Sequence, residues 1–278
     1  MVALAQLGGK TFYSCRVADD ELGEFYTADL LSHGVATNLT HTKPPTGQTG
    51  SCMVMVTPDA ERSMSTFLGA TADIDEAALH PHDIVKARVY YMEGYLAASP
   101  TGLAAAVKGR LIAKQGGVKL ATTLSDMSMI NFCRAGLDAM VGDDLDFLFC
   151  NEEEAQVWCG TQDLQLICQQ FSQLARTVCL TRGPQGCIVL EGAQQTTVPA
   201  AQVKALDTNG AGDMFAGAFL YAVTHGHSHA HAHGHGHGHQ RRPPSAESWS
   251  CIGRTLADIG GAAETKNQTT CGGAKPSR

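Results

Sequence analysis

The chain alternates between short apolar runs and longer stretches in which apolar residues recur at helical spacing. The short runs are rich in β-branched, leucine or aromatic side chains and have the length of strands. They lie at residues 12–17, 88–96, 118–124, 145–151 and 177–183. Because such runs alternate with helical patterns, the sequence predicts an α/β fold with a mostly parallel sheet covered by helices on both faces.

The helical patterns lie between these runs, at residues 19–34, 101–117 and 162–175. The first of them places Leu22, Phe25, Tyr26 and Leu30 at helical intervals and ends in a glycine. These stretches predict the helices that cover the sheet.

One block, residues 49–70, interrupts the alternation. It consists of two strand-like halves joined by the turn-forming sequence Pro-Asp-Ala-Glu-Arg at residues 58–62. An antiparallel hairpin inserted in an α/β chain is either a lid over a site or a plain edge hairpin, and the residues favour neither. We place the lid segment at about residues 36–70.

Composition narrows the class of protein. Apolar residues make up 44% of the 278 residues, enough for a sizeable core, and the formal net charge is −7. A general nucleic-acid binder needs a basic face, so nucleic acid is not an expected partner.

No apolar run is long enough to cross a bilayer, and no secretory signal is evident. The ten cysteines form no CxxC pair and are expected to be reduced. We therefore expect a cytoplasmic protein, and a homo-oligomer stays open.

The composition changes abruptly after residue 224, so we divide the chain into a globular domain, 1–224, and a low-complexity tail, 225–278. The tail has few apolar residues and no periodicity, which predicts disorder. The tail begins with a histidine-rich tract, and neutral imidazoles are suitable ligands for Zn²⁺, Ni²⁺ or Cu²⁺. We favour an incidental low-complexity tract over a metal store. The candidate metal ligands alternate with small residues and are His225, His227, His229, His231, His233, His235, His237 and His239.

The strongest local signal is the run Asp-Thr-Asn-Gly-Ala-Gly-Asp at residues 207–213, followed by an apolar helical face. Gly210, Ala211 and Gly212 would then lie at a helix N-terminus, where unpaired N–H groups and the helix dipole attract anions. Asp213 in that first turn has two interpretations. It either complements the dipole as a structural residue or acts as a base beside an anion site.

The run DTNGAGDMFAGAF resembles the C-terminal signature of the ribokinase (PfkB) family. The resemblance implies a ribokinase-like open sheet and an ATP-dependent kinase that phosphorylates a hydroxyl of a sugar or nucleoside. It also implies that Gly210, Ala211 and Gly212 form an anion hole and that Asp213 is the catalytic base. With this resemblance the catalytic interpretation of Asp213 is preferred.

Two further motifs agree with the resemblance. Asn151 and Glu154 resemble the N-x-x-E motif of the family, which implies a role in organising Mg²⁺ and the ATP phosphates. The turn at residues 181–186 resembles the family's T-x-G-x-x-G turn beside the nucleotide. Taken alone, the first is an ordinary helix N-cap and the second an ordinary strand-to-strand turn. The expected cofactors are ATP and Mg²⁺, with a monovalent cation as a further candidate. The ATP and Mg²⁺ residues are Asn151, Glu154, Thr181, Arg182, Gly183, Gly186 and Thr208.

Other segments refine this hypothesis. The Pro-Thr-Gly-Gln-Thr-Gly sequence at residues 45–50 and the hairpin resemble adenosine-kinase-like members. Glu93, Tyr95 and Asp126 lie at strand ends, where ligands bind in open α/β sheets. A dinucleotide-dependent oxidoreductase is unlike this chain, because the glycine-rich turn comes late and lacks the G-x-G-x-x-G spacing.

Both ends depart from the family pattern. The resemblance implies an N-terminal strand with an early aspartate that binds the acceptor, and we expect both to be missing here. We also expect the histidine tract to stand in place of the segments that follow the catalytic helix in the family. We therefore expect an incomplete domain and a poor or inactive kinase, and the acceptor residues stay unknown. The alternative function is a catalytically impaired kinase fragment with a metal-binding tail.

Overall fold

The computed structural model describes residues 1–57, 62–200 and 208–226. Six strands form its main sheet: β5 (Val89–Met92), β6 (Lys119–Thr123), β7 (Leu145–Asn151), β8 (Ala175–Thr181), β9 (Cys187–Glu191) and β10 (Gln194–Val198). Their spatial order is β10-β9-β8-β7-β6-β5. Strands β5 to β8 run parallel, and β9 and β10 continue the sheet in antiparallel fashion.

Two small sheets stand apart from the main sheet. Strand β1 (Thr11–Tyr13) pairs in parallel with β2 (Val35–Thr37), and β3 (Ser51–Val56) pairs with β4 (Arg62–Phe67) as an antiparallel hairpin. Among the described strands, none of these four pairs with the main sheet. The predicted hairpin is therefore present, although its turn at residues 58–61 lies outside the described part.

The helices occupy the connections between strands. They are α1 (Val2–Gln6), α2 (Glu21–Ser32), α3 (Pro81–Ile84), α4 (Pro100–Gln115), α5 (Met127–Val141), α6 (Glu152–Cys159), α7 (Leu164–Phe171) and α8 (Ala211–Thr224). Short 3₁₀ helices lie at Asn38–Thr40, Gly69–Asp73, Glu76–Ala78, Gly94–Ala98 and Gly183–Gln185. Within the part of the chain that the structure describes, no helix is both long and apolar enough to cross a membrane.

The main sheet is buried on both faces, as the sequence predicts. Along β7, Leu148 and Cys150 belong to the apolar cluster formed with α4 to α7, while Phe147 and Phe149 belong to the cluster formed with α8. The ring of Phe219 on α8 packs edge-on against Phe147 and Phe149, at 5.9 and 5.6 Å between centroids. Residues successive along a strand point to opposite faces, which places α8 on one side of β7, where Leu4 of α1 packs against the same cluster.

Two elements differ from the sequence expectation. Of the apolar residues spaced along α2, Leu30 is buried, but Leu22 and Phe25 are 52% and 69% exposed. The strand predicted at residues 12–17 ends at Tyr13. Its remaining residues form a loop in which the Cys15 N–H donates to Asn38 Oδ1 at 2.9 Å. Hydrophobic spacing locates the helix, but it does not ensure that a partner surface covers the apolar face.

Candidate functional site

The site is built at the carboxyl edge of the main sheet. Because β5 to β8 are parallel, the residues at the ends of these strands meet at one edge, where open α/β sheets bind ligands. Four of these residues are Glu93 after β5, Ser125 after β6, Asn151 at the end of β7 and Thr181 at the end of β8.

The glycine-rich run forms the start of α8. Gly210 is the N-cap residue and adopts a left-handed conformation with φ of 73°, which glycine tolerates without strain. The Ala211 N–H donates to the Thr208 carbonyl at 3.2 Å, closing the turn that leads into the helix. A Cβ added at Gly212 would have no heavy atom within 4 Å. The backbone of the first turn is therefore open to a ligand.

Asp213 projects from this first turn and is exposed. Its Oδ2 lies 3.9 Å from the position that a Cβ would take at Gly210. The carboxylate and the open backbone thus share one turn of helix, and the structure brings together all four predicted residues from 210 to 213. Negative charge at this position complements the helix dipole, so the geometry alone also fits a structural role.

Asn151 and Glu154 form a reciprocal capping box at the start of α6. The Glu154 N–H donates to Asn151 Oδ1 at 2.7 Å, and Asn151 donates from its N–H and its Nδ2 to the two carboxylate oxygens, at 3.1 and 2.7 Å. Burial raises the pKa of Glu154 to about 7, against the Asn151 hydrogen bond, which lowers it. Asn151 and Glu154 therefore do cap the helix, as the structural interpretation of the motif expects. The Glu154 carboxyl is also buried, with a pKa raised to about 7.

The turn at residues 181–186 connects β8 to β9. The Arg182 N–H donates to the Gly186 carbonyl at 2.8 Å, and the Arg182 guanidinium lies 3.1 Å from Glu152 Oε1. Gly186 has a φ of 93°, and a Cβ there would lie 1.9 Å from the Val198 carbonyl oxygen. The glycine is thus needed for the close approach of two backbone segments. The ion pair joins this turn to the first turn of α6.

Hydrogen bonds between side chains link the ends of β5 and β6. The Ser125 hydroxyl donates to Glu93 Oε1 at 2.8 Å, and the Tyr95 hydroxyl donates to Asp126 Oδ2 at 3.0 Å. Burial raises the pKa of Glu93 to about 7, with a smaller contribution from the nearby Asp213 carboxylate, while the Ser125 hydrogen bond lowers it. The sequence placed Glu93 and Asp126 at strand ends, but it gave no signal for Ser125.

The candidate metal ligands in the tail lie almost wholly outside the described residues. His225 is described, and its ring stacks on Tyr221 at 4.0 Å between centroids. His227, His229, His231, His233, His235, His237 and His239 are outside the described ranges. In residues 1–57, 62–200 and 208–226, no group of three or more histidine, cysteine or acidic side chains is placed to hold a metal ion.

Comparisons with known proteins identify the family of this chain. A family model described as pfkB family carbohydrate kinase matches residues 1–237. The chain is 27% identical over 232 residues to a ribokinase of Mus musculus, covering 81% of this chain and 69% of that protein. It is 31% identical to the crystal structure of adenosine kinase from Sinorhizobium meliloti, with a TM-score of 0.76 and coverage of 84% and 71%.

A third comparison concerns the fold alone. A crystal structure from E. coli, designated ribokinase II and solved in complex with ATP and Mg²⁺, is 19% identical to this chain. Its TM-score is 0.73, and the match covers 83% of this chain and 75% of that one. The mostly parallel sheet with helices on both faces is therefore the ribokinase-like fold.

Proposed function

Because this chain belongs to the pfkB family of carbohydrate kinases, we propose that it transfers the γ-phosphate of ATP to a hydroxyl of a sugar or nucleoside with Asp213 as the general base. Family membership makes the protein a phosphotransferase that acts on such a hydroxyl, with ATP as the donor. The roles of individual residues and the identity of the acceptor are the proposal. The observation that carries it is the shared first turn of α8, where an exposed carboxylate stands beside an open glycine backbone.

Asp213 accepts the proton of the attacking hydroxyl. A carboxylate is acceptor-only when it is ionised, so its oxygen is suited to take that proton as the new P–O bond forms and the bond from the γ phosphorus to the bridging oxygen breaks, with ADP as the leaving group. Asp213 is exposed in the first turn of α8, so an acceptor hydroxyl can reach it from solvent. No other residue of the run at 207–213 except Asp207, which lies outside the described part, carries a carboxylate.

The backbone of residues 210–212 receives the transferring phosphoryl group. The first-turn N–H groups of a helix lack intrahelical partners, and the positive end of the dipole stabilises the charge that spreads over the phosphoryl oxygens. Glycine at 210 and 212 leaves this backbone uncovered, since a side chain at 212 would occupy the open space. Thr208 lies in the turn that leads into this backbone.

The carboxyl ends of β7 and β8 fit the donor side of the site. Mg²⁺ prefers oxygen ligands and keeps several waters, which suits the buried Glu154 carboxyl and its Asn151 partner acting through water. Arg182, in the turn after β8, is paired with Glu152 and orders the loop beside the nucleotide. ATP with Mg²⁺ supplies the phosphoryl group when bound. A monovalent cation remains a further candidate cofactor.

The acceptor side then lies toward β5 and the small sheets, because the donor residues occupy the ends of β7 and β8. Glu93 places a second carboxyl on that side, within electrostatic reach of Asp213. The resemblance to adenosine kinase at 31% identity favours a nucleoside, and the resemblance to ribokinase at 27% keeps a pentose in consideration.

The test is an assay of ATP turnover by the purified 278-residue chain with adenosine, ribose or fructose and with no acceptor. We expect turnover that is slow, because the chain is expected to be a poor kinase, but that depends on the acceptor and places phosphate on the acceptor hydroxyl. Turnover that is the same with and without every acceptor would refute the kinase assignment for this chain. Retained ATP binding in that case would favour the alternative, a catalytically impaired kinase fragment.

A further inference from the structure

Ser125 has an unusual backbone conformation at the carboxyl edge of the sheet. Its φ is 72°, and among the described residues it is the one residue other than glycine with a positive φ. This left-handed region is disfavoured for side chains that carry a Cβ, and such conformations persist where the surrounding structure enforces them. The contacts of Ser125 with its surroundings should therefore explain this conformation.

The contacts around Ser125 hold it in place. Its N–H donates to Thr123 Oγ1 at 3.2 Å, and the next residue, Asp126, caps α5 by accepting from the Met129 N–H at 2.9 Å. Across the gap between strands, a Cβ at Gly94 would lie 2.7 Å from Ser125 Oγ and 2.5 Å from the Thr123 carbonyl oxygen. The backbone of the β5 end therefore approaches Ser125 as closely as a glycine permits.

The result of this conformation is a hydrogen bond between two strand ends. The Ser125 hydroxyl donates to Glu93 Oε1 at 2.8 Å. Residues alternate along β5, and Val89 and Tyr91 pack in the apolar cluster with α8. Glu93 continues that alternation at the end of the strand, so it falls on the α8 side of the sheet, where Asp213 begins the helix.

We propose that Ser125 is a positioning residue for phosphoryl transfer, whose hydroxyl, aimed by the left-handed backbone, fixes the Glu93 carboxyl beside the acceptor side of the Asp213 site. This inference rests on the proposed function. Ser125 acts through Glu93. The left-handed turn and the glycine at 94 are the two local features that make this contact geometrically feasible.

The charges around Glu93 determine what the hydrogen bond does. Asp213, from α8, disfavours ionisation of Glu93, whereas the Met1 amino group favours it. Tyr13 and Tyr95 also interact electrostatically with Glu93, and Tyr91 forms a side-chain hydrogen bond with Glu93 that lowers its pKa by less than the Ser125 bond does. The hydroxyl of Ser125 stabilises the ionised form and so lowers the pKa of Glu93. Removal of the hydroxyl should therefore raise that pKa and release the carboxyl from its orientation.

The experiment compares Ser125→Gly and Ser125→Ala with a matched control, Ser128→Ala, which removes an exposed serine hydroxyl on α5. Ser125→Gly deletes the hydroxyl and relieves the backbone, so it should not lower the thermal midpoint. The Glu93 titration is followed by ¹³C NMR of glutamate-labelled protein, with Glu93→Gln used for assignment. Acceptor KM and kcat are measured across pH.

We expect both Ser125 variants to shift the Glu93 midpoint to higher pH and to raise acceptor KM by about tenfold, as for loss of one hydrogen bond to a charged group. The kcat should change less, and Ser128→Ala should change neither quantity. An unmoved Glu93 midpoint in Ser125→Gly, or an acceptor KM equal to that of the parent protein, would overturn the proposal.

Failure of the proposed function has a different signature. The NMR titration requires no turnover, so it decides the Ser125–Glu93 interaction even in an inactive chain. If Asp213→Asn keeps normal turnover while the Ser125 variants shift the Glu93 midpoint and the acceptor KM, the base assignment fails and the positioning role stands. If the chain shows no acceptor-dependent turnover, the role in phosphoryl transfer fails together with the proposed function.

Discussion

The six-stranded sheet and the β3–β4 hairpin both carry apolar side chains, but these side chains are buried to very different extents. Leu148 of β7 is fully buried, and Phe147 on the opposite face is 2% exposed. In the hairpin, Met53, Met55 and Met64 are 66%, 54% and 49% exposed. The main sheet has helices on both faces, whereas the described residues cover neither face of the hairpin.

The strand ends of the main sheet are therefore firmly supported, whereas the hairpin is lightly attached. Asn151 and Thr181 stand at the ends of β7 and β8, whose side chains are mostly buried, and Glu93 follows β5, which is paired with β6. The hairpin is held mainly at its base, where the Ala70 N–H donates to the Gln48 carbonyl at 2.8 Å and Asp20 accepts from the Thr49 N–H at 2.8 Å. Regions with few buried apolar contacts open at lower free energy than a packed core.

The largest effect is expected at the catalytic turn. Asp213→Asn keeps the shape of the side chain but removes the base, so kcat should fall by about 10²–10⁴-fold. ATP binding, measured by calorimetry with Mg²⁺ present, should survive. Asp138→Asn is the control, because Asp138 is an exposed acid paired with Arg134 on α5. A near-normal kcat in Asp213→Asn would contradict the role of Asp213 as the base and leave it a structural role in the first turn of α8.

The next effect contrasts the two regions directly. Leu148→Ala leaves a cavity in the main sheet and should lower the free energy of unfolding by about 2–5 kcal/mol. Met55→Ala in the hairpin should change it by no more than about 0.5 kcal/mol, because the side chain is already exposed. Urea unfolding followed by circular dichroism measures both. Equal losses in the two variants would mean that the hairpin is packed against a surface in solution.

Much of the main sheet could be predicted from sequence, because buried strands have a strong local pattern. The run at 145–151 coincides with β7. Of the apolar face predicted after residue 213, Phe215 and Phe219 pack on the sheet, and Ala216 and Leu220, which that face did not include, pack there with them. The glycine-rich turn was predictable for the same reason, since its conformation is local. The predictions of a disordered tail and a metal-binding tract fall outside the described residues and stay predictions.

The rest depends on contacts between distant residues. Nothing around Ser125 in the sequence indicates a left-handed backbone, because the residue that packs closely against it, Gly94 in the 3₁₀ helix after β5, is distant in sequence. The exposure of Phe25 was equally unpredictable, since helical spacing cannot state whether a partner surface is present. The pKa of Glu154 follows from its burial, which no single-sequence pattern reveals.

A smaller effect concerns the pH dependence of stability. The pKa of Glu154 is raised from 4.5 to about 7 in the folded protein. Between these values the folded state keeps a proton that the unfolded state has lost. The free energy of unfolding therefore falls as pH rises from 4.5 to about 7 and levels off above that.

Glu154→Gln should reduce this decrease in the free energy of unfolding with pH, measured by urea unfolding at several pH values. The control Glu153→Gln, at an exposed neighbouring position, should leave the decrease unchanged. Glu93 contributes a dependence of the same sign, so part of the fall remains. The variant should also raise the Mg²⁺ concentration needed for turnover without abolishing ATP binding. An unchanged pH dependence and an unchanged Mg²⁺ titration would leave Glu154 with a capping role alone.

The smallest effect is expected at the base of the hairpin, and it tests whether that base is attached through Asp20. This carboxylate caps α2 by accepting from the Gly23 N–H at 2.9 Å and also accepts from the N–H and hydroxyl of Thr49, just before β3. These hydrogen bonds with Thr49 lower the pKa of Asp20 below its ordinary value of 3.8. Its stabilising contribution is therefore present above that pH and is lost as pH falls through the folded-state pKa.

Asp20→Ala should lower the thermal midpoint at pH 7 by less than Leu148→Ala does, and the difference from the parent protein should shrink toward pH 3. Asp19→Ala is the matched control, because Asp19 is exposed and the bond that it makes to the Pro45 carbonyl comes from its backbone N–H. Hydrogen exchange sharpens the test, since loss of the Thr49 contacts should speed exchange in β3 and β4 while β7 stays protected. Equal exchange in β3 and β4 with and without Asp20 would show that the hairpin is held by something other than this carboxylate.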